Sequence, residues 1–246
     1  MKLLLSLILL FTIAFNCGES LKLGVNNNVD YSKLENKVGQ QQCFTSSSNF
    51  PTGYSTSFVQ IAFNANTPTS NGDITQTSYM ESGTVDIDFV GGQLYVDFEM
   101  DTENSVTKGK LWGFNGNNTQ YVNIELNGNE YCFLETLTYS VPVFENLKYV
   151  SDAEIGSVEC DLFMYPSILG NSTNQYLFVD KSDCSLISAS AQNTNGTPSG
   201  NSLTNFYYYE PSADSSNFQL PSICLNSPII SQPKLKSLLK RFPKTL

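Results

Sequence analysis

Histidine is absent from this 246-residue chain, and the absence closes off whole chemistries. A Ser-His-Asp or Cys-His nucleophile pair cannot be built, nor can a histidine-ligated zinc site. Carboxylates, lysine and tyrosine remain for acid–base work, but no motif sets them to it, so the chain reads as non-enzymatic. Charge is scarce as well, at 15% of residues, which leaves solubility to Ser, Thr, Asn, Gln and attached glycans. No apolar run reaches the roughly 20 residues of a permanent membrane helix, so no transmembrane segment is expected. The cysteines contain no C-x-x-C pair, which argues against zinc clusters and thioredoxin-like redox chemistry.

What is present begins with Met1-Lys2, an apolar run from Leu3 to Phe15 broken only by Ser6 and Thr12, and then Asn16-Cys17-Gly18-Glu19-Ser20. A charged start, a short apolar stretch and a small-residue exit make a secretory signal peptide over 1–20, cleaved after Ser20. The chain is therefore expected to be exported. Residues 21–42 read as a polar N-terminal arm, 43–226 as one β domain and 227–246 as a basic tail. With Cys17 removed, Cys43, Cys132, Cys160, Cys184 and Cys224 are widely spaced in an oxidising compartment. They point to long-range structural disulfides, and since five is odd, at least one thiol is free or pairs between chains. Sequons at Asn117, Asn171 and Asn195 are expected to carry glycans.

The net charge is −10, yet Lys234, Lys236, Lys240, Arg241 and Lys244 crowd into the last residues without an acid. The body is more acidic than the whole; it repels nucleic acid and anionic membranes and favours cations or basic partners. The tail, with Leu235, Leu238 and Leu239 among its bases, reads as a frayed or processed end, with a basic amphipathic element as the alternative.

The pattern between the cysteines predicts an all-β fold with minor α and at least eight strands. Thr56 to Phe63 is the first. Thr84 to Val90 and Gln93 to Asp101 form a hairpin, and a two-residue Gly91-Gly92 turn sets Val85 opposite Phe98, Ile87 opposite Val96 and Phe89 opposite Leu94. The other side then holds Asp86 beside Asp97. A meander follows: Lys110 to Phe114, a turn at Asn115 to Asn118, Thr119 to Leu126, and Asn129 to Leu134. The Asn127-Gly128 turn places Val122 opposite Phe133 and Ile124 opposite Tyr131. Ser151 to Ile155 reads as a short helix with an N-terminal serine and early acids. Cys160 to Tyr165, Gln175 to Asp180 and Asn205 to Glu210 are further strands, and the polar stretch Ser188 to Ser202 reads as a solvated loop.

Strands with one apolar face either pack on each other or leave a trough for an apolar ligand, and periodicity leaves both open. The ligand-facing candidates are Val85, Ile87, Phe89, Leu94, Val96, Phe98 and Met100, joined by Trp112 and Phe114. The acidic side of the hairpin, with Asp86, Asp88, Asp97, Glu99 and Asp101, offers hard oxygen ligands suited to calcium, the one cofactor considered. A solvated outer face is the plainer reading of the same residues. The Tyr207-Tyr208-Tyr209 run is a strand with rings on both faces.

Three stretches resemble the ependymin-related family of secreted glycoproteins. They are Phe89-Val90-Gly91-Gly92-Gln93-Leu94-Tyr95-Val96-Asp97 with Tyr121 to Cys132, then Tyr176-Leu177-Phe178-Val179-Asp180-Lys181-Ser182-Asp183-Cys184, then Phe218-Gln219-Leu220-Pro221-Ser222-Ile223-Cys224. The resemblance implies two curved antiparallel sheets forming a half-barrel-like sandwich around an apolar pocket, similar to bacterial lipoprotein carriers. It implies disulfides Cys43–Cys184 and Cys132–Cys224, a homodimer and a lipid or fatty-acid ligand. It also links the chain to calcium, extracellular-matrix adhesion and lysosomes. The expected function is a secreted or lysosomal glycoprotein holding a hydrophobic ligand, with a calcium-binding matrix or cell-adhesion glycoprotein as the alternative.

Overall fold

A computed structural model describes residues 43–44, 51–68, 74–103, 105–126, 128–136, 147–165, 173–193 and 199–225. Eleven strands run β1 (Gly53–Pro68), β2 (Ile74–Asp88), β3 (Gln93–Thr102), β4 (Ser105–Phe114), β5 (Thr119–Leu126) and β6 (Asn129–Thr136), then β7 (Lys148–Ile155), β8 (Val158–Tyr165), β9 (Thr173–Asp180), β10 (Leu186–Asn193) and β11 (Asn201–Glu210). Short 3-10 turns occupy Asn115–Asn117 and Ser215–Phe218, and one helical turn, α1, spans Ser222–Leu225.

All eleven strands belong to one antiparallel sheet in the order β6-β5-β4-β3-β2-β1-β11-β10-β9-β8-β7. This corrects the two-sheet, half-barrel expectation: the sheet is continuous, and its edge strands β6 and β7 do not pair to close a barrel. The physical reason lies in β1. At 16 residues it is long enough to be hydrogen-bonded along both sides, to β2 on one and β11 on the other. The two meanders of the chain are thereby joined into one sheet.

The strand beyond this seam, β10, is one the sequence disguises. The stretch read as a loop, Ser188 to Ser202, contributes most of β10 and the start of β11. Its small polar residues are ladder members: Ser188 Oγ donates to the Thr204 carbonyl at 2.8 Å. Ala189 and Ala191 are buried in the core. The expected helix at Ser151 to Ile155 is part of β7, where exposed and half-buried residues alternate with strand period. Lys148, Asp152 and Glu154 on its exposed side are the charges that keep an edge strand from pairing with other chains.

The first hairpin differs from its expected register by two residues. Val85 pairs with Val96, Ile87 with Leu94 and Asp86 with Tyr95, so Asp86 does not face Asp97. The turn is four residues long, Phe89 to Gly92. Asp88 accepts the Gly91 N–H at 2.8 Å, Phe89 donates its N–H to the Thr52 carbonyl, and Gly92 takes φ 59°, a conformation that suits glycine. Because side chains alternate with period two, a shift of two keeps the same residues inward. The β5–β6 hairpin pairs Val122 with Phe133 and Ile124 with Tyr131, as its turn predicts.

Two disulfides tie the ends of the chain to the sheet, Cys43–Cys184 and Cys132–Cys224, with Cα separations of 5.5 and 5.2 Å. This is the pairing implied by the family resemblance. Cys160 is buried and free. The signal peptide, the arm, the basic tail and the sequons at Asn171 and Asn195 lie outside the described residues. Asn117 is exposed in the 3-10 turn after β4.

Candidate functional site

The two faces of the sheet are built differently. One carries a continuous apolar cluster that runs from Phe133 on β6 to Phe163 on β8 and includes Phe58, Val85, Ile87, Leu94, Val96, Phe98, Met100, Leu111, Val122, Ile124, Leu177 and Phe206. Burying a side chain of this kind stabilises by about 1.5–3 kcal/mol. Val85, Ile87, Leu94, Val96, Phe98 and Met100 are all buried here, and Phe89 packs at the margin. Phe98 lies over Gly109, where a Cβ would come within 2.6 Å of the ring. Side-chain volume is thus traded between neighbouring strands.

Trp112 and Phe114 belong to the opposite face, apart from the other ligand-facing candidates. They pack with Tyr95, Tyr121 and the Cys132–Cys224 disulfide against Phe218 and Leu220. Their alternation follows Tyr95, to which Trp112 is paired, rather than Leu94. The C-terminal segment forms a strap across this face. Trp112 Nε1 donates to the Asn217 carbonyl at 2.8 Å. Asp86, almost fully buried, accepts from the Asp214 backbone N–H at 2.8 Å and from Asn217 Nδ2 at 2.9 Å.

The acids proposed for calcium are dispersed by these contacts. Asp86 holds the strap and Asp88 caps the β2–β3 turn. Asp97 pairs with Lys110 at 3.4 Å and Glu99 with Lys108 at 2.6 Å, while Asp101 is exposed on β3. Among the described residues no three acids, cysteines or histidines converge on a metal position.

Among the buried polar residues of the apolar face are two glutamates, each directly across from a glutamine. Near one end Gln120 on β5 is paired with Glu135 on β6. Gln120 Nε2 donates to Glu135 Oε2 at 2.9 Å. Burial raises the Glu135 pKa, and the hydrogen bond from Gln120 partly offsets the rise.

In the middle of the sheet Gln60 on β1 is paired with Glu81 on β2. They sit in one transverse row, Leu177–Ala189–Thr204–Gln60–Glu81–Met100–Thr107, and every member is buried. Gln60 Oε1 accepts from the Tyr79 hydroxyl at 3.3 Å, and Gln60 Nε2 has no acceptor. Both carboxyl oxygens of Glu81 lack a partner. Desolvation pushes its pKa well above the usual glutamate range, so the neutral acid is favoured. Sequence reasoning missed Glu81 and Gln60. The available signal was parity: counting back by twos from Ile87 and Val85 reaches Glu81 on the same face.

A third polar group lies where β7, β8 and β9 meet the chain's N-terminal disulfide. The buried Asp161 accepts the Cys43 N–H at 2.7 Å, Lys181 bridges Asp152 and Asp161, and Tyr149 donates to Asp152 at 2.8 Å. Phe44 packs on Phe163 with ring centroids 5.6 Å apart. This arrangement secures the Cys43 end of the chain.

With the strands, the disulfides and the strapped face placed, the family can be settled. The family described as "Ependymin domain, amoebozoa" matches residues 41–246. The chain belongs to the ependymin family. It is 32% identical over 202 residues to an uncharacterized protein of Dictyostelium discoideum, covering 80% of this chain and 62% of that one. The ependymin-domain chain thus spans less than two thirds of that relative. A segment of 80 residues is 42% identical to part of a probable cytochrome P450 of the same organism, covering 30% of this chain and 14% of that one.

Solved structures similar in layout include an uncharacterized conserved protein from Thermus thermophilus, with a TM-score of 0.38 at 8% identity, covering 81% of this chain and 98% of that one. A putative outer membrane lipoprotein-sorting protein domain from Vibrio parahaemolyticus gives a TM-score of 0.25 at 9% identity, covering 77% and 94%. A LolA superfamily protein from Nitrosomonas europaea gives 0.27 at 8% identity, covering 78% and 94%. Likenesses at these scores say nothing about a ligand of the ependymin-domain chain. Among its described residues no helix is long and apolar enough to cross a membrane.

Proposed function

We propose that the chain is a secreted or lysosomal, glycosylated protein that holds a hydrophobic ligand, a lipid or fatty acid, against the apolar face of its sheet and performs no catalysis. The observation that supports this most is the asymmetry of the two faces. The C-terminal strap and its helical turn pack on the Trp112 face, while the continuous apolar cluster occupies the other. An acyl chain laid along that cluster gains about 0.8 kcal/mol per buried methylene. The candidate ligand-facing residues are Val85, Ile87, Phe89, Leu94, Val96, Phe98 and Met100.

The test is native mass spectrometry of the secreted protein, set against the mass of the denatured, deglycosylated chain, with extraction of any bound small molecule. A stoichiometric lipid supports the carrier reading. A protein that is empty and takes up no added fatty acid overturns it. The same spectra show whether Asn117, Asn171 and Asn195 carry glycans and whether the protein is a homodimer. Ile61, exposed on β1, has the exposed Met80 and Leu203 as its paired neighbours, an apolar patch that a second copy would cover.

A further inference from the structure

The Glu81–Gln60 row, which rests on the ligand-holding reading above, deepens it. We propose that Glu81 and Gln60 form an anchor for the oxygen-bearing head of an acyl-chain ligand, a carboxyl or ester group. The chain would then lie along the rows that follow.

Four observations meet here. Glu81 and Gln60 stand directly opposite each other on neighbouring strands. Both are almost wholly shielded from solvent. Three of their four polar side-chain atoms, Glu81 Oε1 and Oε2 and Gln60 Nε2, have no partner. Buried polar atoms of folded proteins are nearly always hydrogen-bonded, so an unpaired group of this kind calls for a missing partner. The same residue pair elsewhere on the same face, Gln120 and Glu135, shows that this geometry closes on itself when nothing prevents it. In the central pair the Gln60 oxygen instead accepts from the Tyr79 hydroxyl, and Gln60 Nε2 does not reach Glu81. What remains facing the apolar side is an amide N–H and a carboxyl group, held side by side.

That set of groups selects its occupant. Burial favours the neutral form of Glu81, whose O–H donates, and Gln60 Nε2 donates as well. Two convergent donors suit an oxygen acceptor such as a carboxyl or ester oxygen. A bare hydrocarbon would leave them unpaired. From Glu81 the rows Phe58–Gly83–Phe98, Thr56–Val85–Val96 and Tyr54–Ile87–Leu94 follow in order. At about 3.3 Å per residue, the six residues from Glu81 to Ile87 span roughly 20 Å, a length comparable to a long extended acyl chain.

The experiment uses the full secreted chain, stripped of lipid, and two fluorescent probes. One is the polyene fatty acid cis-parinaric acid; the other is diphenylhexatriene, which has no head group. Expected for Glu81→Leu and for Gln60→Leu is a loss of about tenfold or more in parinaric acid affinity, with diphenylhexatriene binding unchanged. Glu81→Gln, which keeps a donor, should retain most of the fatty-acid affinity. Unchanged parinaric acid affinity in both leucine variants, with both probes still bound, overturns the anchor and leaves the carrier reading standing. Failure of the wild-type protein to bind either probe overturns the carrier reading and the anchor with it. Should one leucine variant fail to fold, the other, on the neighbouring strand, decides the matter.

Discussion

Two glutamate–glutamine pairs lie on one apolar face, directly opposite across adjacent strands in both cases, and only one is hydrogen-bonded across the strands. Gln120 and Glu135 are hydrogen-bonded to each other; Gln60 is drawn to Tyr79 and Glu81 is left open. The difference shows that residue type and register do not by themselves decide what a buried polar pair is for. The central pair has a third side chain, Tyr79, on its amide oxygen. The closed pair serves the fold, because the carboxylate satisfies a buried amide. The open pair costs stability, since unpaired buried polar groups carry a desolvation penalty.

The largest test of that contrast is to replace each glutamate with leucine. Glu135→Leu strands Gln120 Nε2 and is expected to destabilise by about 1–3 kcal/mol. Glu81→Leu removes an unpaired carboxyl and is expected to stabilise by about 1–2 kcal/mol. Urea denaturation of the two lipid-free variants reads the opposite signs directly; destabilisation by both would erase the distinction between the pairs.

A pH series follows. Glu81 has its folded-state pKa raised by burial. Below the ordinary glutamate range it is protonated in both folded and unfolded states and adds no slope. As pH rises from there, the unfolded chain releases the proton and the folded one retains it, so stability falls until the folded pKa is passed. The limiting slope is about 1.4 kcal/mol per pH unit for one proton. Glu135 acts in the same direction, also through burial, so Glu81→Gln should flatten the curve without levelling it. The neighbours of Glu81 on its face are Gln60, Met100, Tyr79 and Gly83. Tyr79 is the one other titratable group in that set.

Tyr79→Phe addresses the cause of the contrast. Freed from the hydroxyl, Gln60 can close on Glu81 as Gln120 does on Glu135. The variant should gain about 0.5–1.5 kcal/mol from the new hydrogen bond and bind parinaric acid less tightly. Weakest of all should be the effect of calcium on the opposite face. With Asp86, Asp97 and Glu99 engaged by protein donors, millimolar calcium should leave the melting temperature unmoved. A rise that Asp86→Asn/Asp97→Asn abolishes would show that these partners yield to the metal.

The fold was legible where alternation and turn residues agree. Val122, Ile124 and Leu126 with Asn127-Gly128 placed β5 and β6 in register, and Val85, Ile87, Leu94 and Val96 were placed on the right face even with the hairpin two residues out. It was illegible where strand-forming residues are small and polar. Ser188, Ser190 and Asn193 look like loop residues because their side chains compete for backbone hydrogen bonds. In the sheet those bonds are made across strands, as when Asn193 Nδ2 donates to the Asn64 carbonyl at 2.8 Å. The acidic hairpin face misled for a related reason. Asp86 looked like a solvated ligand because the segment that consumes it, Asp214 and Asn217, lies 128 and 131 residues away.

The central strand also sets the order of events during synthesis. β1 is made early, and one of its sides finds β2 at once. Its other side waits for β11; Thr56 and the Tyr207 carbonyl it bonds are separated by 151 residues. Until that strand emerges, a 16-residue strand presents a bare edge of the kind that recruits other chains. The nascent protein is therefore most prone to aggregation after its first meander is complete and before its last strand arrives, and that is the interval in which a chaperone would matter.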